Sequence, residues 1–217
     1  MPQLPVTPRT TFHRRPGRGS HDRDLVHAIL DEGLVCHVGF AADGQPYVLP
    51  TTYARVDDRI VLHGSLANRM LRALAAGAPA CVTVTLLDGL VLARSAFHHS
   101  MNYRSVVVLG VATAIEGREE KRAALRAIVE HVAPGRLREV RAPSDAEVDG
   151  TLVVAIPIHE ASAKVRTGPP VDDREDMALP CWAGVLPLGL AAGAPVPDPA
   201  LVAGTAVPDS VSGWRRG

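Results

Sequence analysis

The chain has 217 residues, 47% of them hydrophobic, and its 23 lysine and arginine residues balance 23 aspartate and glutamate residues. This length and composition indicate one globular core with an appendage and exclude an intrinsically disordered chain. A net charge of zero provides no overall field that would attract nucleic acid or an anionic membrane surface. Any anion that the protein binds must therefore be held by a local group of residues.

The cysteines and the hydrophobic runs indicate a reducing environment away from membranes. Cys36, Cys81 and Cys181 are odd in number and lack paired spacing, which argues against a disulfide framework and a structural zinc site. No hydrophobic run has the length of a signal-peptide core or of a membrane span, which needs about 18 to 20 residues. We therefore expect a cytoplasmic protein without metal, nucleic-acid or membrane partners.

The first part of the chain predicts an arm, a helix and a β-meander. Residues 1–20 are rich in proline and arginine and are expected to form a flexible arm, after which Ser20 caps a helix that ends at Gly33. Apolar runs on either side of Asp43-Gly44 predict a hairpin. Because proline lacks an amide donor, Pro50 indicates an edge, a bulge or a break in the second strand.

The rest of the chain predicts two more helices, further strands and a tail. Helical spacing begins at Ser65, the expected cap, and again over 117–131, whereas Asp88-Gly89 predicts a second hairpin. Strands with short turns predominate, so residues 21–167 are expected to form a mainly β domain, a small antiparallel barrel that carries helices. Residues 168–217, rich in proline, glycine and alanine, are expected to pack as a tail on the barrel or on a partner.

Residues 95–104 are dense in hydrogen-bonding side chains and directly precede an apolar strand. Polar groups beside a core strand need partners, so we interpret this segment as one wall of a binding site. His98 and His99 would point to opposite faces of a strand, so at most one would line a given pocket. Arg104 requires either a structural salt bridge or a bound anion.

The junction over 62–69 predicts an anion site. A strand ends there and a helix begins, so free backbone amides and the positive end of the helix dipole face outward, and Arg69 adds a cation. An ordinary capped helix with an early arginine is the alternative interpretation. The sequence contains no G-x-S-x-G, no phosphate loop and no G-x-G-x-x-G after a strand, which excludes serine hydrolases of that type and Rossmann or nucleotide-triphosphate sites.

Segments 43–51, 62–65, 69–71 and 95–106 together resemble the flavin-binding split-barrel superfamily, which includes pyridoxamine 5'-phosphate oxidase. The likeness is nearer to its nitroimidazole-resistance-like and pyridoxamine-oxidase-related, flavin-nucleotide-binding branch. The resemblance implies a six-stranded antiparallel split β-barrel with peripheral helices, a homodimer, and FMN bound at the dimer interface.

The resemblance also implies the site residues. The positions that it assigns to FMN, in chain order from the ring to the ribityl chain, the phosphate and a neighbouring strand, are Pro50, Thr51, Thr52, Leu62, His63, Ser65, Asn68, Arg69, Arg104 and Ser105. His63 matches a histidine near the flavin, and either His63 or His99 would supply protons near neutral pH. The arginine-bearing C-terminal segment that holds pyridoxal in the oxidase has no counterpart, so vitamin B6 oxidation is not predicted.

Three hypotheses for function follow. The first is an FMN-dependent oxidoreductase that passes electrons to a small organic acceptor such as a nitro compound or a quinone. The second is a flavin or haem binding module without turnover, in which the His98-His99 pair offers an axial ligand. The third is a deazaflavin enzyme on the same barrel, which needs a more basic groove.

Overall fold

The computed structural model describes residues 3–215, which divide into two units. The first unit comprises residues up to Gly33, Thr83–Val108 and His159–Leu190. The second comprises Leu34–Val82, Leu109–Ile158 and the chain from Ala191 onward.

Among residues 3–215, the strands are more numerous than the helices and contain more residues. The strands are β1 (Gly19–Ser20), β2 (Val35–Ala42), β3 (Gln45–Thr52), β4 (Ala54–Val56), β5 (Arg59–Ser65), β6 (Pro79–Leu92), β7 (Ser100–Val111), β8 (Thr113–Ala114), β9 (Thr151–Pro157), β10 (Glu160–Arg166) and β11 (Gly184–Pro187). The helices are α1 (Arg23–Glu32), α2 (Arg69–Ala75), α3 (Arg118–Val132), α4 (Asp145–Asp149) and α5 (Asp209–Ser212), with 3-10 helices at Pro16–Arg18, Ala96–His98, Arg136–Arg138 and Arg174–Ala178.

The strands form two sheets. Seven strands follow the order β1-β10-β7-β6-β2-β3 with β11 paired to β6, and four follow the order β4-β5-β9-β8. The fold is mainly β with antiparallel sheets and few helices, which confirms the predicted split barrel. The larger sheet has seven strands where the resemblance implied a barrel of six.

The predicted hairpin at Asp43-Gly44 is confirmed. Asp43 and Gly44 both have positive φ, 52° and 77°, as a two-residue turn between antiparallel strands requires. β3 runs without a break from Gln45 to Thr52, and Pro50 lies opposite His37 of β2. β3 is an edge strand, where a missing amide donor is tolerated, so of the three possibilities at Pro50 the edge is the one observed.

The hairpin predicted at Asp88-Gly89 is wrong, because β6 continues through both residues for 14 residues. β11 pairs alongside, with Leu186 opposite Leu90 and Pro187 opposite Gly89. A Cβ atom built on Gly89 would lie 3.0 Å from the carbonyl oxygen of Leu186. The glycine therefore allows close approach of a neighbouring strand and does not form a turn.

The predicted N-cap of α1 moves by two residues. Asp22 caps α1 by accepting a hydrogen bond from the Leu25 amide at 3.0 Å, and Ser20 lies in β1. Gly33 ends this helix as expected. The N-terminal arm is packed, since Leu4 is 2% exposed and its amide donates to the His21 carbonyl oxygen. The domain boundaries at residues 20 and 167 stay predictions.

Each unit has its own buried apolar residues. In the first unit α1 buries Val26, Ile29 and Leu30. In the second unit β4, β5, β9 and α3 enclose a cluster that consists of Ala54, Val61, Ile115, Ala124, Ile128, Val153 and Ala155.

No helix within residues 3–215 combines the length and the apolar character that crossing a membrane requires.

Candidate functional site

The strand-to-helix junction in the second unit differs from the predicted anion cradle. α2 begins at Arg69, and its cap is Asn68, whose Oδ1 accepts from the Leu71 amide at 3.0 Å; the prediction of Ser65 as the cap is wrong. Ser65 ends β5, and a turn separates it from the helix, with the Asn68 amide donating to the Ser65 carbonyl oxygen at 2.9 Å. The Ala67 amide donates to Ser65 Oγ at 3.2 Å. Three amides of this junction are therefore already bonded within it.

Arg69 remains the cation of this junction. Its guanidinium carbon lies 4.3 Å from the centroid of the Tyr47 ring, and it forms no ion pair within the part of the chain that the structure describes. A cation–π contact at an exposed site contributes only about 0.5 to 1 kcal/mol, so it does not exclude an anion. The phosphate contacts assigned to Ser65, Asn68 and Arg69 stay predictions.

The residues assigned to the flavin ring lie on the edge strand β3. Pro50 and Thr52 are exposed and Thr51 is half-buried, and the outer backbone groups of an edge strand are open to a ligand or a partner. Leu62 differs, because its side chain is fully buried opposite Val154. Leu62 can therefore meet a cofactor only through its backbone.

His63 lines a cavity of about 440 Å³ in the second unit. The other lining residues come from α3, the segment that follows it, α4 and the start of β9; they are Leu125, Arg126, Ile128, Val129, Leu137, Val140, Arg141, Pro143, Glu147 and Thr151. α3 turns part of its apolar stripe towards this space, and Val129 and Val132 remain 37% and 36% exposed. A stripe that would ordinarily form core is thus left partly uncovered.

The imidazole ring of His63 is a polar group in a largely apolar cavity. Its Nδ1 is buried and has no hydrogen-bond partner among residues 3–215. Burial lowers the pKa of His63, because removal from water disfavours the charged imidazolium. The ring is therefore neutral at neutral pH and offers a lone pair, so it is better suited to accept a proton or to ligate a metal than to donate a proton.

Arg104 and Ser105 belong to the first unit, where both side chains have protein partners. The Arg104 guanidinium donates to Asp88 Oδ1 at 2.8 Å, to Asp88 Oδ2 at 3.1 Å and to Glu32 Oε1 at 2.7 Å. The hydrogen bonds that the guanidinium donates to Glu32 and Asp88 raise the pKa of Arg104, those to Glu32 most. Ser105 Oγ donates to the Lys164 carbonyl oxygen at 3.3 Å. The cofactor contacts assigned to this pair stay predictions.

His98 and His99 line the same cavity of the first unit, contrary to the expectation that they face apart. They do not lie on a strand: His98 ends the 3-10 helix Ala96–His98, and His99 follows it. His98 Nδ1 forms a hydrogen bond with Ser95 Oγ at 2.7 Å. His99 Nδ1 forms a hydrogen bond with the carbonyl oxygen of the same serine at 2.9 Å. A single serine thus orients both imidazoles.

One group in the first unit has the residue types of a metal site. His98, Asp173 and Asp176 each bring a ligand atom within 4.8 Å of the others. Exposed acidic groups of this kind are common without an ion, and the absence of a metal stays a prediction.

A family model described as pyridoxamine 5'-phosphate oxidase matches residues 22–165. The chain belongs to this family. The family's split barrel is a flavin-binding fold, as the resemblance of the sequence segments implied. The comparison with curated proteins found no match.

Three solved structures are similar to this member of the family. The flavocytochrome Anf3 from Azotobacter vinelandii is 41% identical with a TM-score of 0.91, and the match covers 100% of both chains. The FAD and haem binding protein from Mycobacterium smegmatis is 41% identical with a TM-score of 0.87 and covers 92% of this chain and 98% of its own. A protein from Bacteroides thetaiotaomicron to which 5-nitroimidazole antibiotic resistance is ascribed is 27% identical with a TM-score of 0.55, and the match covers 68% of this chain and 86% of that protein.

Sequence reasoning identified His63 but missed its surroundings. Arg126 and Arg141 share its cavity with the apolar face of α3, yet an amphipathic helix by itself indicates only a core-facing stripe. The excess of valine and isoleucine at helical spacing on a surface helix is the one available signal. That signal does not distinguish a cavity wall from core.

Proposed function

We propose that this protein is a flavin-dependent oxidoreductase that also binds haem, which His63 would hold through its imidazole. Its similarity over nearly the whole chain to a flavocytochrome and to a FAD and haem binding protein supports the pairing of the two cofactors. The observation that carries the proposal is the His63 cavity. It combines an unpartnered, neutral imidazole with apolar walls.

The residues of this cavity fit a haem group. Neutral imidazole is the form that ligates iron, and the volume of about 440 Å³ lies within the range of ligand pockets. Leu125, Ile128 and Val129 would exclude water from the bound group. Arg126 forms no ion pair within residues 3–215 and offers a cation to a carboxylate of the ligand. Haem, when bound, supplies one-electron transfer or oxygen chemistry.

The flavin is proposed to bind at the edge strand β3 and the α2 junction. FMN, expected from the sequence, stays the proposal for its identity, and chromatography of the extracted flavin separates FMN from FAD. A bound flavin can accept two electrons and pass them on one at a time. The acceptor is proposed to be a small organic molecule, and a module that binds cofactors without turnover is the alternative.

We also propose a homodimer with the flavin at its interface. The strand that carries Pro50–Thr52 leaves Val48 66% and Leu49 38% exposed, which favours coverage by a second chain. Light scattering after size-exclusion chromatography should give twice the chain mass. Val48→Lys should give the monomer and release flavin, and a wild-type monomer with tightly bound flavin would contradict this proposal. The cytoplasmic location stays a prediction.

The absorbance spectrum of the purified protein tests both cofactors. We expect flavin bands together with a Soret band, and His63→Ala should lose the Soret band and recover it on addition of imidazole. His159→Ala, at an exposed turn, is the matched control, and His99→Ala tests the other candidate ligand. A Soret band that survives His63→Ala but disappears in His99→Ala would transfer the haem to the first unit. Bleaching by a nicotinamide donor and re-oxidation by an added acceptor would separate an enzyme from a module.

A further inference from the structure

The cavity of the first unit has a strongly one-sided charge in a chain without net charge. Its volume is about 620 Å³. Five of the described residues that line it have basic side chains, namely Arg14, Arg15, Arg18, Lys164 and Arg166. Among residues 3–215, Asp173 is the only carboxylate-bearing residue that lines it. Such a wall is suited to an anion of more than one charge.

Arg166 is the buried member of this group. Its side chain is 5% exposed, and it donates to the Gly168 and Pro169 carbonyl oxygens, both at 3.2 Å, and to Asn102 Oδ1. All these acceptors are neutral, and Nε is buried without a partner among residues 3–215. Burial lowers the pKa of Arg166, and the like charge of Arg18 lowers it further. A buried guanidinium next to a second one, neither of which forms an ion pair among residues 3–215, indicates that a counter-ion completes this site.

The other cations are free to contact a ligand. Arg14 and Arg15 are exposed, Arg18 and Lys164 are half-buried, and none of the four forms an ion pair in the described part of the chain. Elsewhere in the first unit arginines do pair, as Arg94 does with Asp172 at 2.8 Å. These four cations therefore have no carboxylate partner within residues 3–215.

Phe97 adds an aromatic surface to the same cavity. Its side chain is 89% exposed, and its ring meets the His98 ring edge-on, with centroids 5.2 Å apart. An exposed phenylalanine beside clustered cations is the combination that proteins use to hold a phosphate chain and to stack a base.

We propose that this cavity binds a nucleoside diphosphate group, with the diphosphate held by the arginines and the base on Phe97. Two molecules carry that group into a redox protein: FAD, through its ADP half, and a nicotinamide dinucleotide that donates electrons. The site itself is independent of the haem at His63. Only the choice between these two sources rests on the proposed function.

Calorimetric titration of the purified, flavin-loaded protein with ADP and with inorganic pyrophosphate tests the site. The Arg14→Ala/Arg18→Ala double variant should weaken both ligands by about tenfold or more, because each guanidinium donates charge-assisted hydrogen bonds. Arg138→Ala, an exposed arginine outside the cavity, is the control and should change neither. Arg166 is left intact because its burial would confuse binding with folding.

Two further variants separate a nucleotide site from a general anion site. Phe97→Ala should weaken ADP severalfold and leave pyrophosphate unchanged. Asp173→Asn should tighten both ligands, since it removes the carboxylate that opposes the anion. Circular dichroism and the thermal midpoint of each variant establish that it is folded, and the single variant Arg14→Ala replaces the double variant if the latter is not.

The two sources give different results. If ADP binds the flavin-loaded protein, the site takes a separate nucleotide. If ADP does not bind, the retention of FAD and of FMN by the double variant is compared with that by Arg138→Ala. A loss of FAD that exceeds the loss of FMN indicates that the site holds the ADP half of FAD. Equal ADP binding and equal FAD retention in the double variant and the control would overturn the proposal. Loss of the Soret band has no bearing on these readouts, so the haem proposal can fail on its own.

Discussion

Replacing Arg104 with methionine should lower the free energy of unfolding by about 2 to 3 kcal/mol. The guanidinium lies between two carboxylates, with Glu32 Oε1 at 2.7 Å and Asp88 Oδ1 at 2.8 Å. Breaking a buried charge pair by removing one partner costs about 3 to 5 kcal/mol. These side chains are 30% (Arg104), 25% (Glu32) and 29% (Asp88) exposed, so screening by water places the loss at the low end or just below.

Urea unfolding followed by circular dichroism measures this loss, provided that the slope with denaturant stays constant. Adding Glu32→Gln and Asp88→Asn to the Arg104→Met variant removes the repulsion between the two carboxylates and should restore at least half of the loss. A change below about 0.5 kcal/mol, or no recovery in the triple variant, would refute a stabilising role. Flavin release from the folded Arg104→Met protein, by contrast, would reveal the cofactor contact that the family resemblance implies.

Three other properties follow from the structure. Gly89→Ala should destabilise by about 1 to 2 kcal/mol in urea unfolding, because its Cβ would meet β11 at 3.0 Å, whereas Gly193→Ala, with nothing within 4 Å, should be neutral. Ellman's reagent should react first with exposed Cys181, since burial raises the pKa of Cys36 to about 12; a fast phase that persists in Cys181→Ser would contradict this. Hydrogen bonds that Arg141 and the Ser144 amide donate to Glu147 lower the pKa of this carboxyl group to about 2. The contribution of Glu147 to the stability of the fold is therefore complete above its ordinary pKa and is lost as the pH falls towards 2. The difference in thermal midpoint between wild type and Glu147→Gln should shrink over that interval, and a constant difference would disprove the link.

The local elements were predictable because their signals lie within a few residues. The Asp43-Gly44 turn and α3, which Gly117 caps, are both confirmed. Asp88-Gly89 presents the same dipeptide as the true turn but forms none, because a strand from the tail pairs with it. Only a contact between segments distant in sequence decides between these outcomes, and no local pattern of residues reveals that contact.

The candidate site was predictable only as far as single residues. His63 stands out by its place at the end of a strand, but its apolar wall belongs to a helix whose stripe indicates core. His98 and His99 were expected to face apart, since alternation holds on a strand and fails in the 3-10 helix Ala96–His98. The basic cavity unites Arg14 and Arg18 with Arg166, positions whose proximity no local pattern reveals.

The four residues of β11 come from a stretch that reads as low-complexity sequence, yet their backbone satisfies that of β6. A protein shortened before Gly184 would leave the amides and carbonyls of residues 89–92 without that neighbour. Unpaired strand edges tend to pair with strands of other chains. Such a truncated form should therefore self-associate even though every residue of the family match is intact.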